Sequence, residues 1–294
     1  MLLDNFKSKI GNNIFQLKKN FEIFSKIRKR LIFHKISKKN SIYNLLNNGY
    51  EIQENLLNSD DINFISNKYL FSNNINDDKV YQQNLIFPFF DKIILEKVFN
   101  SEIFRKTKIF FKSIYNVDPV LQQSPLIVIT KPSFDENEMR TSYKIPADYH
   151  TDYPTEMALH IPLKDLKEGV IHTVYCKSSN RNIFIKSTSK YSENFTNKFK
   201  KINLVSKRGA GILLDTQGIH KANVKKANIR IMLFFKFSSK NNIIKNVNYT
   251  ESSFSAKKSS YFKFDKEKLM IDKNYSTVLG LEKKQIEIFD YFMI

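Results

Sequence analysis

Short segments with a two-residue repeat dominate the second half of this chain, from Leu126 onward. In these segments the pattern of side chains shifts toward a period of two, and turn-forming residues separate one segment from the next. The segments are Leu126–Thr130, Met139–Lys144, Met157–Leu163, Val170–Cys176, Ile183–Lys186, Gly211–Leu214 and Ile229–Phe237. Alternation puts successive side chains on opposite faces of a strand, so each segment is predicted to be a β-strand. Short strands at irregular spacing favour a sandwich or jelly roll over a parallel sheet with crossover helices.

Helical signals precede these strands. A short strand is predicted at Tyr50–Gln53, and a helix is predicted to open at Asn58-Ser59-Asp60-Asp61. That helix start combines a capping side chain with acids in the first turn, where the helix dipole favours negative charge. Further helices are predicted at 91–99 and 101–115. The fold class is therefore predicted to be α+β and mainly β, with helices flanking the strand-rich core.

Three regions differ in their residue patterns. Residues 1–40 are predicted to be a basic amphipathic helical extension, and residues 41–240 the strand-rich domain with its own N-terminal helices. Residues 241–294 lose the two-residue repeat. They are predicted to be a C-terminal extension that packs on the outside of the barrel, with a helix-like end at 281–292.

The region 1–40 carries much of the chain's charge. It holds eleven Lys and Arg residues against two acids, a net charge of +9 out of +19 for the chain. Its apolar residues recur at the three- and four-residue steps of an amphipathic helix. They include Phe6, Ile10, Ile14, Leu17, Phe21, Phe24 and Leu31. The region is expected to pack on the main domain with its lysines on a solvated face; the alternative is peripheral contact with an anionic membrane surface.

Composition places the chain among folded globular proteins, with 41% hydrophobic and 14% aromatic residues. The one cysteine, Cys176, excludes an intrachain disulfide and fits a reducing compartment. No apolar run approaches the roughly 18–20 residues that a membrane-spanning helix needs. The N-terminus also lacks the apolar core and cleavage site of a secretory signal. We therefore expect a soluble, cytoplasmic protein.

The tripeptide His150-Thr151-Asp152 and the later His220 form a candidate metal site. Residues two apart in a strand project to the same face, so His150 and Asp152 can take neighbouring positions around one ion. His220 follows a strand and a tight loop that ends at Gly218, which can bring it to the opposite side. Two histidines and one carboxylate leave three positions of an octahedral ion open. That arrangement suits non-haem Fe(II), although a lone His-x-Asp also occurs by chance.

Arg230 supplies a second chemical signal. It interrupts an apolar strand, where burying a guanidinium is costly unless its charge is matched. The match can be a protein carboxylate, as in a structural ion pair. It can also be the carboxylate of a bound ligand, which arginine holds through two parallel hydrogen bonds.

Other enzyme classes lack their signatures in this sequence. None of the seven glycines belongs to a nucleophile elbow, and Gly209-Ala-Gly211 lacks the rest of a dinucleotide-binding or phosphate-binding loop. With one cysteine and five histidines, the chain has no Cys/His spacing typical of a zinc site. The candidate metal site is therefore the strongest chemical signal.

The order His150-x-Asp152, His220, Arg230 resembles that of the phytanoyl-CoA dioxygenase group of Fe(II)/2-oxoglutarate-dependent oxygenases. Further segments resemble the family in the same order, so that the resemblance covers roughly residues 45–240. These segments are Leu46–Leu57 with the capped helix, Met157–Asp165 and Gly169–Ser179. Cys176-Lys177 stands where the family has Pro-Gly, a departure that affects the pocket and leaves the ligand positions intact.

The resemblance implies a double-stranded β-helix of the jelly-roll or cupin type, with Fe(II) held by His150, Asp152 and His220. Its implied co-substrates are 2-oxoglutarate and dioxygen. The implied reaction is hydroxylation of a small organic substrate, coupled to decarboxylation of 2-oxoglutarate to succinate. Halogenating relatives have a small residue in place of Asp152, so the intact carboxylate favours hydroxylation.

The resemblance also implies residues that bind the co-substrate. Arg230 would hold the distal carboxylate of 2-oxoglutarate, and by strand position Arg140 and His160 would line the same pocket. His160 is equally compatible with a histidine of the hydrophobic core.

A binding module is the competing hypothesis. In it, a non-catalytic barrel would use its basic N-terminal segment to bind nucleic acid or an anionic membrane surface. Such a module would need no metal, and salt would weaken its binding steeply.

Overall fold

The computed structural model describes residues 21–71, 84–89, 91–121, 125–130, 148–167, 169–223 and 230–239. The predicted strand Met139–Lys144, with Arg140 in it, and the region 241–294 lie outside the described residues. Within the described part of the chain, no helix combines the length and the apolar character that crossing a bilayer requires.

Helices are concentrated before the main run of strands. Their bounds are residues 21–35 (α1), Tyr43–Asn48 (α2), Ser59–Ile65 (α3), Lys92–Phe99 (α4), Glu102–Tyr115 (α5) and Glu193–Thr196 (α6). A π-helical segment at Ser66–Phe71 continues α3, and Ser179–Arg181 form a 3-10 turn. The predicted start of α3 is confirmed, because the Asn58 side chain accepts from the Asp61 amide and the Asp61 carboxylate accepts from the Asn58 amide. The helices predicted at 91–99 and 101–115 are also confirmed.

The strands form two antiparallel sheets. Their bounds are Tyr50–Gln53 (β1), Asn84–Pro88 (β2), Pro119–Leu121 (β3), Leu126–Thr130 (β4), Tyr149–His150 (β5), Met157–Pro162 (β6), His172–Cys176 (β7), Lys190–Tyr191 (β8), Lys201–Leu204 (β9), Gly211–Asp215 (β10), His220–Asn223 (β11) and Arg230–Ser239 (β12). The larger sheet has seven strands in the order β1-β10-β6-β12-β4-β2, with β3 paired to β12. The smaller sheet has five, in the order β8-β5-β11-β7-β9. Antiparallel sheets flanked by helices confirm the predicted α+β, mainly β class.

The larger sheet is covered on both faces. On its outer face, side chains such as Leu159, Leu233 and Phe235 pack with α4 and α5 in the main hydrophobic core. On its inner face, Ala158, Ile212 and Met232 pack with residues of the smaller sheet, among them Tyr175. Along one strand, therefore, alternate side chains enter the helix layer and the space between the sheets.

The predicted strand at Ile183–Lys186 is wrong, because the first two of these residues form a turn and the last two are irregular. The Ile185 side chain is buried, at 1% exposure, which explains the apolar signal. Its backbone bonds go elsewhere than to a neighbouring strand: the Ile185 amide donates to the Asn182 carbonyl at 3.1 Å, and its carbonyl accepts from the Lys26 ammonium. A short apolar segment has the same sequence pattern whether its side chains are buried in a loop or in a strand.

Helix α1 packs on the domain as expected, but not through the expected face. Lys26 and Lys29 are fully buried, whereas Phe24 is 67% and Leu31 55% exposed. The expectation of solvated lysines is therefore wrong for these two. Polar partners in the domain explain the inversion, since Asp215 lies 2.6 Å from the Lys29 ammonium and the Ile185 carbonyl accepts from that of Lys26. Matched charge makes the burial of an ammonium tolerable.

Candidate metal centre

The two histidines of the candidate site come from neighbouring strands of the smaller sheet. His150 ends β5 and His220 begins β11, and the two residues are paired directly across the antiparallel ladder. Their ring centroids lie 4.3 Å apart at an interplanar angle of 53°. Antiparallel register thus brings together two residues that are far apart in the sequence.

Asp152 reaches the same point from the loop that follows β5. Its amide donates to the Thr216 carbonyl at 2.9 Å, and its Oδ1 lies 3.6 Å from Nε2 of His150. Thr151, between the two, is buried: its hydroxyl donates to the Lys186 carbonyl at 2.6 Å and accepts from the Ser189 amide at 3.2 Å. The middle residue of the tripeptide therefore anchors the loop while its neighbours face the site.

Backbone carbonyls fix the tautomers of both histidines. Nδ1 of His150 lies 2.9 Å from the Asp148 carbonyl oxygen, and Nδ1 of His220 lies 2.9 Å from that of Gly218. A carbonyl oxygen can only accept, so each Nδ1 carries a proton, and in the neutral form of each ring Nε2 is the atom with the lone pair. A ligating histidine is usually oriented in this way.

The donor set fits a divalent ion. One ligand atom from each of His150, Asp152 and His220 lies within 4.8 Å of the others. Neighbouring ligand atoms around a metal at roughly 2 Å are about 3 Å apart, so small side-chain rotations would close the set. Within the described ranges, this is the group of His, Cys, Asp and Glu side chains whose geometry could hold a metal.

The charge states also suit a cation. Burial, and next to it the neighbouring His220, lower the pKa of His150 to about 4, so this imidazole is neutral near pH 7. For Asp152, burial acts to raise the pKa, but the charges of Lys236 and the nearby histidines outweigh it, and the pKa lies below its usual value. A neutral imidazole and an ionised carboxylate are the forms that ligate metals.

His160 and Arg230 extend the site onto the inner face of the larger sheet. Burial, then the charges of Arg230 and His220, lower the pKa of His160 to about 3. The His160 ring therefore lies near both the guanidinium and His220. It is packed at 5.0 Å from the Phe234 ring, yet its residue is only half-buried, which favours a position lining the site over one filling the core. Burial lowers the pKa of Arg230 to about 10.

Lys236 and Glu156 were not foreseen from the sequence. The Lys236 ammonium lies 2.9 Å from the Glu156 carboxylate and 3.9 Å from Oδ2 of Asp152. Alternation along β12 was the available signal, because Lys236 shares a strand face with Arg230. A lysine inside so apolar a strand needs a matched charge just as an arginine does.

Tyr175 supports the turn that carries His220. Its hydroxyl donates to the Asp215 carbonyl at 2.8 Å, and its ring is stacked 6.4 Å from the His220 ring. Gly218 allows this approach, because a Cβ at that position would lie 1.8 Å from the tyrosine hydroxyl. The carbonyl of the same glycine accepts the proton of His220 Nδ1.

Comparisons with known proteins yield structural neighbours only. The sequence matches no family model and no curated protein. The apo form of EctD from S. alaskensis is 11% identical, covering 70% of this chain and 78% of that one at a TM-score of 0.48. SnoK, a non-heme alpha ketoglutarate dependent carbocyclase from nogalamycin biosynthesis, is 12% identical, with 70% and 85% covered and a TM-score of 0.47. HygX from Streptomyces hygroscopicus, with nickel, 2-oxoglutarate and hygromycin B bound, is 9% identical, with 70% and 88% covered and a TM-score of 0.47. Likeness of this degree does not decide the reaction or the substrate.

We predict that Gly218→Ala weakens binding of Co(II), a spectroscopic probe of the site, by about 10- to 100-fold, the usual effect of disturbing the partner of a ligating histidine. The added methyl would clash with Tyr175 and displace the carbonyl that orients His220. Titration of the metal-free protein with Co(II), followed by visible absorption, measures the effect.

The matched control is Gly169→Ala. A Cβ there meets no atom within 4 Å, and only the strain of a φ of +87° remains. Equal Co(II) affinities in Gly218→Ala and the unaltered protein would contradict the role assigned to this turn.

Proposed function

We propose that this chain is an Fe(II)- and 2-oxoglutarate-dependent oxygenase of the phytanoyl-CoA dioxygenase-like group, built on a double-stranded β-helix core. One observation carries the proposal. His150, Asp152 and His220 converge within 4.8 Å, and both histidines donate Nδ1–H to backbone carbonyls, so that their Nε2 atoms face the site. Two histidines and one carboxylate are the ligand set of non-haem Fe(II) oxygenases.

The charge of the ligand set suits the proposed chemistry. Two neutral imidazoles and one carboxylate would leave a bound Fe(II) with one net positive charge and three open positions. When bound there, Fe(II) and 2-oxoglutarate supply oxidation of the substrate by dioxygen, with release of succinate and carbon dioxide. Lys236, near Asp152, keeps that carboxylate ionised. The protein's own contribution is to hold His150 neutral and Asp152 ionised before the metal arrives.

Arg230 is the proposed partner of the distal carboxylate of 2-oxoglutarate. It is 8% exposed and lies on the inner face of the larger sheet, the face that also carries His160. A guanidinium stays charged when buried and binds a carboxylate in a planar, bidentate arrangement. His160, neutral because of its lowered pKa, would complete this pocket by hydrogen bonding without adding charge. Arg140 stays a proposed pocket residue on the resemblance alone.

The proposed reaction is hydroxylation of a small organic substrate. It rests on the intact carboxylate of Asp152, the position that halogenating members of the resembled group leave to a small residue. The substrate would enter between the two sheets, because the ligands come from the smaller sheet and Arg230 from the larger one.

We predict that the full-length protein binds about one Fe(II) per chain after anaerobic reconstitution and converts 2-oxoglutarate to succinate, slowly even without substrate. Asp152→Ala should abolish succinate formation, because it removes the anionic ligand. Metal analysis and quantification of succinate measure both. Absence of iron binding by the unaltered protein, or succinate formation that persists in Asp152→Ala, would contradict the proposal.

We predict that Arg230→Lys raises the KM for 2-oxoglutarate by about 10- to 100-fold, since a hydrogen bond to a charged group contributes about 1.5–3 kcal/mol. Lysine keeps the charge and loses the second hydrogen bond, so iron binding should not change. Arg208→Lys, on the protein surface, is the control. An unaltered KM in Arg230→Lys would show that another group binds the co-substrate.

A second candidate function, contact with an anionic membrane surface, is favoured by the outer face of α1. Phe24, Ile27 and Leu31 are 67%, 38% and 55% exposed and follow one another at helical spacing. The basic residues Arg28 and Lys35 lie on the same exposed side. Apolar residues inserted among basic ones are typical of helices that lie in a membrane interface and favour this partner over nucleic acid.

We predict that the protein sediments with phosphatidylcholine vesicles that contain phosphatidylserine, and not with phosphatidylcholine alone. Phe24→Ser/Leu31→Ser should weaken this binding by about tenfold or more, because each large apolar side chain contributes roughly 1.5–3 kcal/mol when buried. Phe184→Ser is the control, since Phe184 is 78% exposed and is not part of α1. Failure to sediment, or equal binding by the double variant, would argue against membrane contact.

A further inference from the structure

One face of α1 contacts two loops beside the candidate metal ligands: the turn at 215–218 before His220, and the 185–189 loop, which is hydrogen-bonded to the segment of Thr151 and Asp152. The attachment consists of Glu22, Lys26 and Lys29, here called the ligand-loop clamp. The side chains of both lysines are fully buried, and that of Glu22 is 16% exposed. These residues lie one helical turn apart, so they line a single face of the helix.

Lys29 reaches the turn that precedes His220. Its ammonium lies 2.6 Å from Oδ2 of Asp215 and 2.6 Å from Oε1 of Gln217. Asp215 ends β10, and its carbonyl accepts from the Gly218 amide at 3.0 Å. The Gly218 carbonyl in turn accepts from Nδ1 of His220. The chain of contacts from helix to metal ligand is thus Lys29, Asp215, Gly218, His220.

Glu22 and Lys26 reach the other loop, residues 185–189. One oxygen of Glu22 accepts from the Ser187 amide at 2.6 Å and from its hydroxyl at 2.9 Å. The Lys26 ammonium donates to Glu22 at 2.8 Å and to the Ile185 carbonyl. The contacts on this side join α1 directly to the backbone of the loop.

The 185–189 loop holds the metal-site tripeptide. The Thr188 amide donates to the Asp152 carbonyl at 3.0 Å, and the Thr151 amide donates to the Ser189 carbonyl at 3.0 Å. The hydroxyl of Thr151 adds its bond to the Lys186 carbonyl. Displacing this loop would therefore displace Asp152.

Simple packing of a helix does not require these contacts. Buried ammonium groups lose their hydration, and apolar side chains would cover the same surface at lower cost. α1 instead leaves Phe24 and Leu31 exposed and buries Lys29 beneath the rings of Phe110 and Tyr115, 5.5 and 5.9 Å from their centroids. Charged groups with fixed hydrogen-bond directions set the position of a loop more narrowly than apolar contacts do.

We propose that Glu22, Lys26 and Lys29 are positioning residues that fix the 185–189 loop and the turn before His220 relative to each other, so that α1 sets the geometry of the metal centre. The identity of the metal rests on the proposed function; the mechanical connection does not. Loss of a clamp residue then loosens one loop and weakens metal binding, while the rest of the fold stays closed.

Hydrogen exchange on the metal-free, full-length protein tests the connection. In Glu22→Gln, the Ser187 and Thr188 amides are expected to exchange about tenfold faster or more, since local opening costs less free energy. In Lys29→Met, the Gln217 and Gly218 amides are expected to do so. Lys106→Met is the control: it breaks the 2.7 Å ion pair with Glu51 between α5 and β1 and should leave both loops unchanged.

Co(II) titration of the same variants tests the consequence. Glu22→Gln and Lys29→Met should bind Co(II) about 10- to 100-fold more weakly, as when an outer partner of a metal ligand is removed. Because Lys29→Met leaves the buried Asp215 carboxylate without its ammonium, Lys29→Met/Asp215→Asn serves as a second variant that restores neutrality. It should fold and still bind Co(II) more weakly.

Two outcomes would overturn the clamp: unaltered exchange of the named amides in folded variants, or Co(II) affinities within about twofold of the unaltered protein. Exchange that rises equally throughout the protein would assign these residues to global stability instead. If the unaltered protein binds no Co(II), the proposed function fails, and the exchange experiment alone still decides whether α1 holds the two loops.

Discussion

The arrangement of the site depends on the double coverage of the larger sheet. Helices cover the outer face of this sheet and the smaller sheet covers its inner face, so the side chains on both faces are shielded from solvent. Successive residues of β12 therefore alternate between apolar side chains for the helix layer and a mixed set for the space between the sheets. Polar groups enter that inner space only with partners, as Lys236 does with Glu156.

The ligands themselves are oriented mainly by backbone. Carbonyls of Asp148 and Gly218 fix the two imidazoles, and the Thr216 carbonyl fixes the amide of Asp152. Backbone groups have no rotamers to lose, so the donor atoms face one point before any ion binds. The loops that contain these carbonyls must in turn be held in place by other contacts. Tyr175 provides one of these contacts for the turn before His220, and Thr151 and the proposed ligand-loop clamp provide others.

Local signals in the sequence predicted the longer elements well. The capped start of α3, the two helices α4 and α5, and strands such as Met157–Pro162 follow from patterns a few residues long. The three candidate ligand positions were predicted from two histidines and one carboxylate, and the structure brings their ligand atoms within 4.8 Å of one another. The segment 183–186 was wrongly predicted to be a strand. Ile185 is buried there, but it lies in a loop, and its carbonyl accepts a hydrogen bond from Lys26 in α1. Two-residue strands such as Tyr149–His150 are too short to leave a periodic trace, and their pairing depends on distant residues.

The lysines of α1 show why the net charge summed over a sequence overstates the charge at the protein surface. Lys26 and Lys29 count toward the basic total of the N-terminal region, yet both are buried against carboxylates and contribute nothing to an external field. The charge available to an anionic partner comes instead from exposed residues such as Arg28 and Lys35, on the side of the helix where Phe24 and Leu31 are also exposed. An amphipathic pattern read from hydropathy alone assigns the apolar side to the core. Here that assignment is reversed, because the face of α1 turned to the domain carries Lys29, whose ammonium is matched by the buried carboxylate of Asp215.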